Sequence, residues 1–397
     1  MTTIPQNPKP LKHLFELLEV HRALFGQGRV YHRTVALMMA EPFVFAQHTV
    51  TQPLMSLGLT EQDWSAWRRL FNQGRFPYER ASEEVFGETL KHVGEDELYV
   101  VGGDGTQTPR SSRKMEGAGW LRNLRTPPFM IGIHAAQRWF NGSWLLPGEQ
   151  GYSRALPLRW MPAFTEKSKP KAHAPCKEWE AAVQFLTWVR EQLAKAGRVT
   201  QQVLMVADGS YDNLNLWKAL PDGVILLARS AKNRVLYHLP AGKQTGRGRK
   251  RVDGDRALTP QEMWQQREGW KKLTLFVWGK DRYLQYQVHR PFLRKGAAHR
   301  PLFLIVVRGK QTPRLRREPL PFLVNARQDD QGRWGWPTPC SSGPGSAGSL
   351  KSVIANSNPI RAWGTSSVGT PPLRSALSSG RPGSTPCSCW LATAPGA

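Results

Sequence analysis

Leu98-Tyr-Val-Val-Gly-Gly-Asp104-Gly-Thr106 and Val203-Leu-Met-Val-Ala-Asp208-Gly-Ser210 share one design, a short apolar run that ends on Asp-Gly. An apolar run of this length, bounded by a turn signal, predicts a strand buried on both faces, so each aspartate is expected at a strand's carboxyl end. Two carboxylates from neighbouring strand ends make the hard, anionic oxygen site that Mg²⁺ or Mn²⁺ requires. The competing reading is turn chemistry alone, with the aspartate bonding its own backbone and the glycine supplying a positive φ. The pairing of two such stretches in one chain favours the site.

Working outward, Asp104 is followed by a basic, glycine-bearing loop, Gln107 to Trp120, in which Arg110, Arg113 and Lys114 suit a phosphate backbone. Phe129 to Ala136 and Ser143 to Leu146 read as strands joined by Asn141-Gly142, a hairpin signal, so the first three strands are expected to form an antiparallel meander. A basic connection from Lys167 to Pro175 leads to a long amphipathic helix over Lys177 to Ala196, closed by Gly197. The second aspartate strand, a short helix over Asn213 to Leu220 and the apolar run Gly223 to Ala228, with Arg229 and Lys232 beyond it, complete the unit. The reading is α/β: three strands, helix, strand, helix, strand, with acids ending strands one and four.

Residues 9 to 93 carry apolar positions at helical spacing, as in Leu11 to Glu19 and Tyr31 to Met39. Within them, His48 to Thr60 reads as a helix, a glycine turn and a threonine cap, and Trp64 to Phe71 as a helix with a basic face, a pattern open to a helix-turn-helix or to a plain bundle. After residue 235 the rhythm changes. A basic loop with Arg247, Arg249, Lys250 and Arg251 is followed by the strand-like runs Lys272 to Trp278, Arg282 to Val288 and Pro301 to Val307, a β-rich insertion.

The 55 Lys plus Arg exceed the 30 Asp plus Glu by 25, which points to a polyanionic partner, nucleic acid ahead of a membrane surface. No apolar run approaches the ~20 residues of a membrane span, and Met1 to Pro8 lacks a charged-then-apolar leader pattern, so a cytoplasmic, nucleoid-associated protein is expected. The four cysteines include no Cys-x-x-Cys pair with a histidine partner and support neither a zinc ribbon nor a disulfide framework. The 16 tryptophans suit packing first and base stacking second.

With Gly103-Asp104-Gly-Thr106, Ala207-Asp208-Gly-Ser-Tyr211 and the insertion after the fifth strand in view, the chain resembles the DDE transposases of bacterial insertion sequences. The group in question carries a β-rich insertion between its second Asp and its final Glu, and the resemblance covers roughly residues 10 to 333. It implies an RNase H-like mixed sheet with helices on both faces. It implies a helical DNA-binding region over 1–95, a catalytic core over 96–234, an insertion over 235–325 and a tail over 326–397. It also implies two-metal phosphoryl transfer on the element ends and a target duplex, with a possible homodimer. Asp104 and Asp208 would be the first two members of the acidic triad. The third, a glutamate in a Tyr/His-Arg-Glu-x-Lys pattern, is missing, since no Asp or Glu follows Asp330.

From Thr338 to the end, 29 of 60 residues are Ser, Gly or Pro, too few apolar groups to offset ordering entropy, and the tail is expected to lack regular structure. Read in a second codon register, Val353 to Asn358 can spell His-Arg-Glu-Leu-Lys, and Cys340 to Ser349 can spell Leu-Phe-Trp-Ala-Trp-Gln-Arg-Trp-Glu. Gly364 to Pro371 can give Asp-Lys-Gln-Cys-Trp-Asn-Pro. Three matches in one register, with the absent motif among them, point to a frameshift between Trp334 and Thr338. The expected product is an impaired transposase. The alternative is a non-catalytic DNA-binding protein that occupies the element ends, and a different RNase H-like nuclease is a third.

Overall fold

A computed structural model describes residues 9–45, 49–110, 115–123, 132–147, 153–171, 173–240, 250–277, 280–297, 299–309, 318–325, 327–328 and 334–335. Five helices come first: α1 (Lys9–Val20), α2 (Gly28–Ala40), α3 (Thr51–Ser56), α4 (Ser65–Asn72) and α5 (Tyr78–Leu90). Val30, Leu37, Leu54, Trp67 and Leu70 from α2, α3 and α4 form a small core of their own. The glycine turn after α3 is present, with Gly58 at φ 70°. The cap of α4 differs from the expected Thr60: the helix starts at Ser65, whose backbone N–H donates to Asp63 Oδ1 at 2.8 Å.

The central sheet begins with β1 (Tyr99–Pro109), β2 (Ala118–Arg122), β3 (Ile133–Pro147) and β4 (Ser153–Pro162). After α6 (Glu178–Lys195) come β5 (Val203–Ala207), α7 (Leu214–Ala219) and β6 (Val224–Arg229). Gly197, at φ 79°, closes α6 as the sequence predicts. The core order is β4-β3-β1-β5-β6, with β1, β5 and β6 parallel and β3 antiparallel to its neighbours. Then α8 (Pro260–Gln265), β7 (Lys271–Val277), β8 (Lys280–Phe292), β9 (Leu302–Gly309) and β10 (Leu320–Asn325) follow. Through antiparallel pairing of β10 with β6, these strands extend the same sheet in the order β6-β10-β9-β8-β7. Buried Asn325 secures the seam, its amide donating to the Val224 carbonyl at 3.0 Å and its carbonyl accepting from Leu226 N–H at 2.7 Å. A two-stranded pair, β11 (Arg327–Gln328) with β12 (Trp334–Gly335), follows.

Alternation along the buried strands divides their side chains between two clusters. Val203, Met205 and Ala207 face the larger one, with Phe86 and Leu90 of α5, Phe185 and Val189 of α6, Trp217 of α7 and Met263 of α8. Leu204 and Val206 face the other, with Val100, Ile225, Leu227, Ile305 and Val324. Every buried member of that second cluster lies on a strand, so the described helices cover one face of the sheet where both were expected.

The predicted hairpin at Asn141-Gly142 is not formed. Both residues lie inside β3, paired with Asp104 and Gly103 of β1, and the strand bulges after Gly142. The glycine is there for close approach: a Cβ at position 142 would run into the Phe185 ring of α6. Gly142→Ala is therefore expected to lower stability by about 1–3 kcal/mol, the usual cost of overpacking a tight core. Chemical denaturation checks this, and an unchanged midpoint would mean that α6 shifts freely.

Candidate active site

Parallel pairing matches Gly103 of β1 to Ala207 of β5, and Ala207 to Ala228 of β6. Asp104, Asp208 and Arg229 each come one residue after these pairs: Asp104 continues along β1, Asp208 lies just past the end of β5, and Arg229 is the last residue of β6. Asp208 leaves the end of its strand as predicted. Asp104 does not: β1 runs on to Pro109, because β3 continues to pair with it from Asn141 to Ala136. Asp104 therefore marks the point where pairing to β5 stops and pairing to β3 continues.

The glycines around Asp104 serve packing rather than a turn. A Cβ on Gly103 would stand 2.5 Å from Phe140 Cζ and 2.6 Å from Met205 Cε, and one on Gly105 would stand 2.5 Å from the Glu178 carboxyl. At the second stretch the turn reading holds alongside the site reading. Asp208 Oδ1 accepts the Ser210 backbone N–H at 2.9 Å and its hydroxyl at 2.5 Å, which fixes the carboxylate at the head of a short 3-10 turn, Gly209–Tyr211.

Surrounding protein and then the negative charge of Asp208 raise the pKa of Asp104 to about 6, with Glu178 adding to the rise and the Gly105 backbone N–H opposing it. The Asp104 side chain is nonetheless exposed, so the protein mass lies around it without enclosing it. The like charge of Asp208 is the cause that bears on a site, since Gly103 and Ala207, which precede the two aspartates, pair across β1 and β5.

Glu178, at the start of α6, carries no sequence signal beyond an acid in a helix's first turn. Its Oε1 accepts the Tyr211 hydroxyl at 2.9 Å, and its Oε2 pairs with Arg138 of β3. Burial first, and then the charge of Glu178, raise the Tyr211 pKa. Below this turn, the fully buried Asp212 accepts from Trp217 Nε1 at 3.0 Å and Ser230 Oγ at 2.7 Å. It also pairs with Arg234 and Arg294, each at 2.6 Å. Asp212 was not singled out in the sequence either.

The basic candidates are dispersed. Arg110 lies six positions past Asp104 on the β1 side, roughly 20 Å further along at strand spacing, with Nε donating to Gln137 Oε1 at 2.9 Å. Arg110 itself is thus set apart from the first aspartate along the chain. Arg229, the last residue of β6, pairs with Phe322 of β10. Lys232 pairs with Glu318 at 2.7 Å, which engages the substitute considered for the missing third acid. Lys250 is exposed, and Arg251 pairs with Asp255 at 3.6 Å. Arg113, Lys114, Arg247 and Arg249 lie outside the described residues, as does the tail from 336 on.

Among the described residues, no three His, Cys, Asp or Glu side chains form a group able to hold a metal ion. Asp104 and Asp208 remain as two adjacent hard-oxygen donors whose mutual repulsion a divalent cation would relieve, so the pair fits one Mg²⁺ or Mn²⁺. No described helix is long and apolar enough to cross a membrane.

A mixed sheet with the β4-β3-β1-β5-β6 order, helices packed on it and aspartates on β1 and just past the adjacent parallel β5 fits an RNase H-like nuclease. A family model described as DDE superfamily endonuclease matches residues 33–283, a span that includes both aspartates, and the chain belongs to that family. No curated protein matches the chain.

Proposed function

We propose that the chain is a DDE-type transposase of a bacterial insertion sequence, which cleaves double-stranded DNA at the element ends and joins them to a target. In this reading its third acid has been lost by a frameshift between Trp334 and Thr338, and the product is severely impaired. The observation that supports the reading is the parallel pairing of Gly103 with Ala207, the residues that precede Asp104 and Asp208, within a span matched by a DDE endonuclease family.

Asp104 and Asp208 would hold the divalent cation, Mg²⁺ or Mn²⁺. When bound, that ion supplies Lewis-acid activation and charge neutralisation for phosphoryl transfer. The chain's own part is to aim the donors. Ser210 fixes the Asp208 carboxylate, the β1–β3 ladder fixes the Asp104 backbone, and Arg229 ends the adjacent strand β6. Arg110, Arg113, Lys114, Lys232, Arg247, Arg249, Lys250 and Arg251 provide charge for the duplex outside the site. We assign residues 1–95 to DNA binding, 96–234 to catalysis, 235–325 to the insertion and 326–397 to the altered tail. A homodimer would bring two element ends together.

The engagement of Glu318 by Lys232, and the lack of any acid after Asp330, favour a second reading, a product that binds the element ends without cutting them. Supercoiled plasmid separates the two. Slow nicking that requires Mg²⁺ or Mn²⁺, stops on chelation and vanishes in Asp104→Ala is the expected result. DNA binding with no nicking in either metal would establish the second reading instead.

A further inference from the structure

Glu178 touches both aspartate motifs. On one side its carboxylate fills the space over Gly105, within 2.5 Å of where a Cβ would stand, next to Asp104. On the other its Oε1 accepts the Tyr211 hydroxyl at 2.9 Å, and Tyr211 closes the turn that opens at Asp208. Arg138, opposite Gln107 of β1, pairs with the second oxygen. The Glu178 side chain is 15% exposed and Tyr211 is 1% exposed. A carboxylate this enclosed is costly unless donors compensate it, and here a phenol and a guanidinium do so.

An acid at this point of a helix commonly serves the helix dipole, and solvent-facing contact with the first-turn N–H groups is enough for that. Such a role requires neither a glycine beneath the carboxylate nor a buried tyrosine aimed at it. Gly105, Tyr211 and Arg138 come from three separate segments and meet at one side chain. That side chain spans the gap between the strand of Asp104 and the turn of Asp208.

We propose that Glu178 is a positioning residue that locks the Asp104 strand to the Asp208 turn through Gly105 and Tyr211, and thereby sets the spacing of the two carboxylates for a divalent cation. This rests on the metal-binding reading above. Loss of a residue that orients metal ligands costs roughly 10- to 100-fold in affinity, and a loss in that range is expected here.

The test is a Mn²⁺ titration of the full chain without DNA, followed by electron paramagnetic resonance, with thermal unfolding recorded in parallel. Glu178→Ala should weaken Mn²⁺ binding at least about tenfold. Glu178→Gln, which keeps an acceptor for the Tyr211 hydroxyl, should recover most of the loss. Tyr211→Phe should weaken binding in the same direction, and the Glu178→Ala/Tyr211→Phe double variant should be no worse than Glu178→Ala alone. Should Glu178→Ala fail to fold, Tyr211→Phe, which removes a single oxygen, decides the matter. If Asp104→Ala abolishes Mn²⁺ binding while Glu178→Ala and Tyr211→Phe bind as wild type, the positioning role is wrong and the metal site stands. Altered melting with unchanged Mn²⁺ affinity overturns it equally. If Asp104→Ala leaves Mn²⁺ binding intact, or wild type binds none, the metal reading fails and takes this inference with it.

Discussion

Asp212→Ala is expected to cost the fold about 3–5 kcal/mol, the range for removing one partner of a buried charge pair. Its carboxylate is wholly buried and answers two guanidiniums, Arg234 and Arg294, besides Trp217 and Ser230. Arg294 also donates to the Asp212 backbone carbonyl at 2.9 Å. Alanine would leave both cations facing a void, and burial already holds the Arg294 pKa below its usual value. Asp212→Asn keeps the shape and part of the hydrogen bonding, so a smaller loss is expected. Urea unfolding of the two variants measures both losses. A change below about 1 kcal/mol for Asp212→Ala would mean that water replaces the carboxylate and that the cluster is peripheral. The network also joins the Asp208 turn to the end of β6 and to the chain leaving β8, so the insertion strands and the candidate site are expected to unfold together.

Parts of this architecture were legible because they rest on local pattern. The runs before Asp104 and Asp208 are apolar without alternation, and β5 and β6 lie where the apolar runs predict them, while β1 starts as predicted and runs on past Asp104 to Pro109. The 3.6-residue pattern of α6 and its closing Gly197 were likewise readable. Misreadings arose where a local signal served a tertiary purpose. Asn141-Gly142 has hairpin chemistry, yet Gly142 is needed so that Phe185 can reach the strand. Pro157 in β4 and Pro321 in β10 hid two strands, since proline breaks the pattern by which strands are found. Glu178 and Asp212 could not be found from sequence. An acid in a helix's first turn and one following a tyrosine acquire their roles only through Gly105, Arg138, Arg234 and Arg294, which are distant along the chain.

Repair of the reading frame is expected to raise metal-dependent cleavage on the order of a thousandfold or more, as for other catalytic groups that act as a unit. In the proposed reading Asp104 and Asp208 would hold one cation, and two-metal phosphoryl transfer would call for a further carboxylate. Among the described residues, Glu178 is engaged by Tyr211 and Arg138, and Glu318 by Lys232. The alternative register supplies a further carboxylate in His-Arg-Glu-Leu-Lys, read from the codons of Val353 to Asn358, and precedes it with a tryptophan-rich helical run in place of Cys340 to Ser349. The experiment is a single-nucleotide insertion or deletion between codons 334 and 338, with cleavage of a DNA end assayed in Mg²⁺. Glutamate to glutamine in the restored motif should return the repaired protein to the level of the encoded one. Asp104→Ala should abolish what remains. If the repaired chain is no more active than the encoded chain while binding the same DNA, the frameshift inference is wrong, and the missing acid must be sought elsewhere or in a partner.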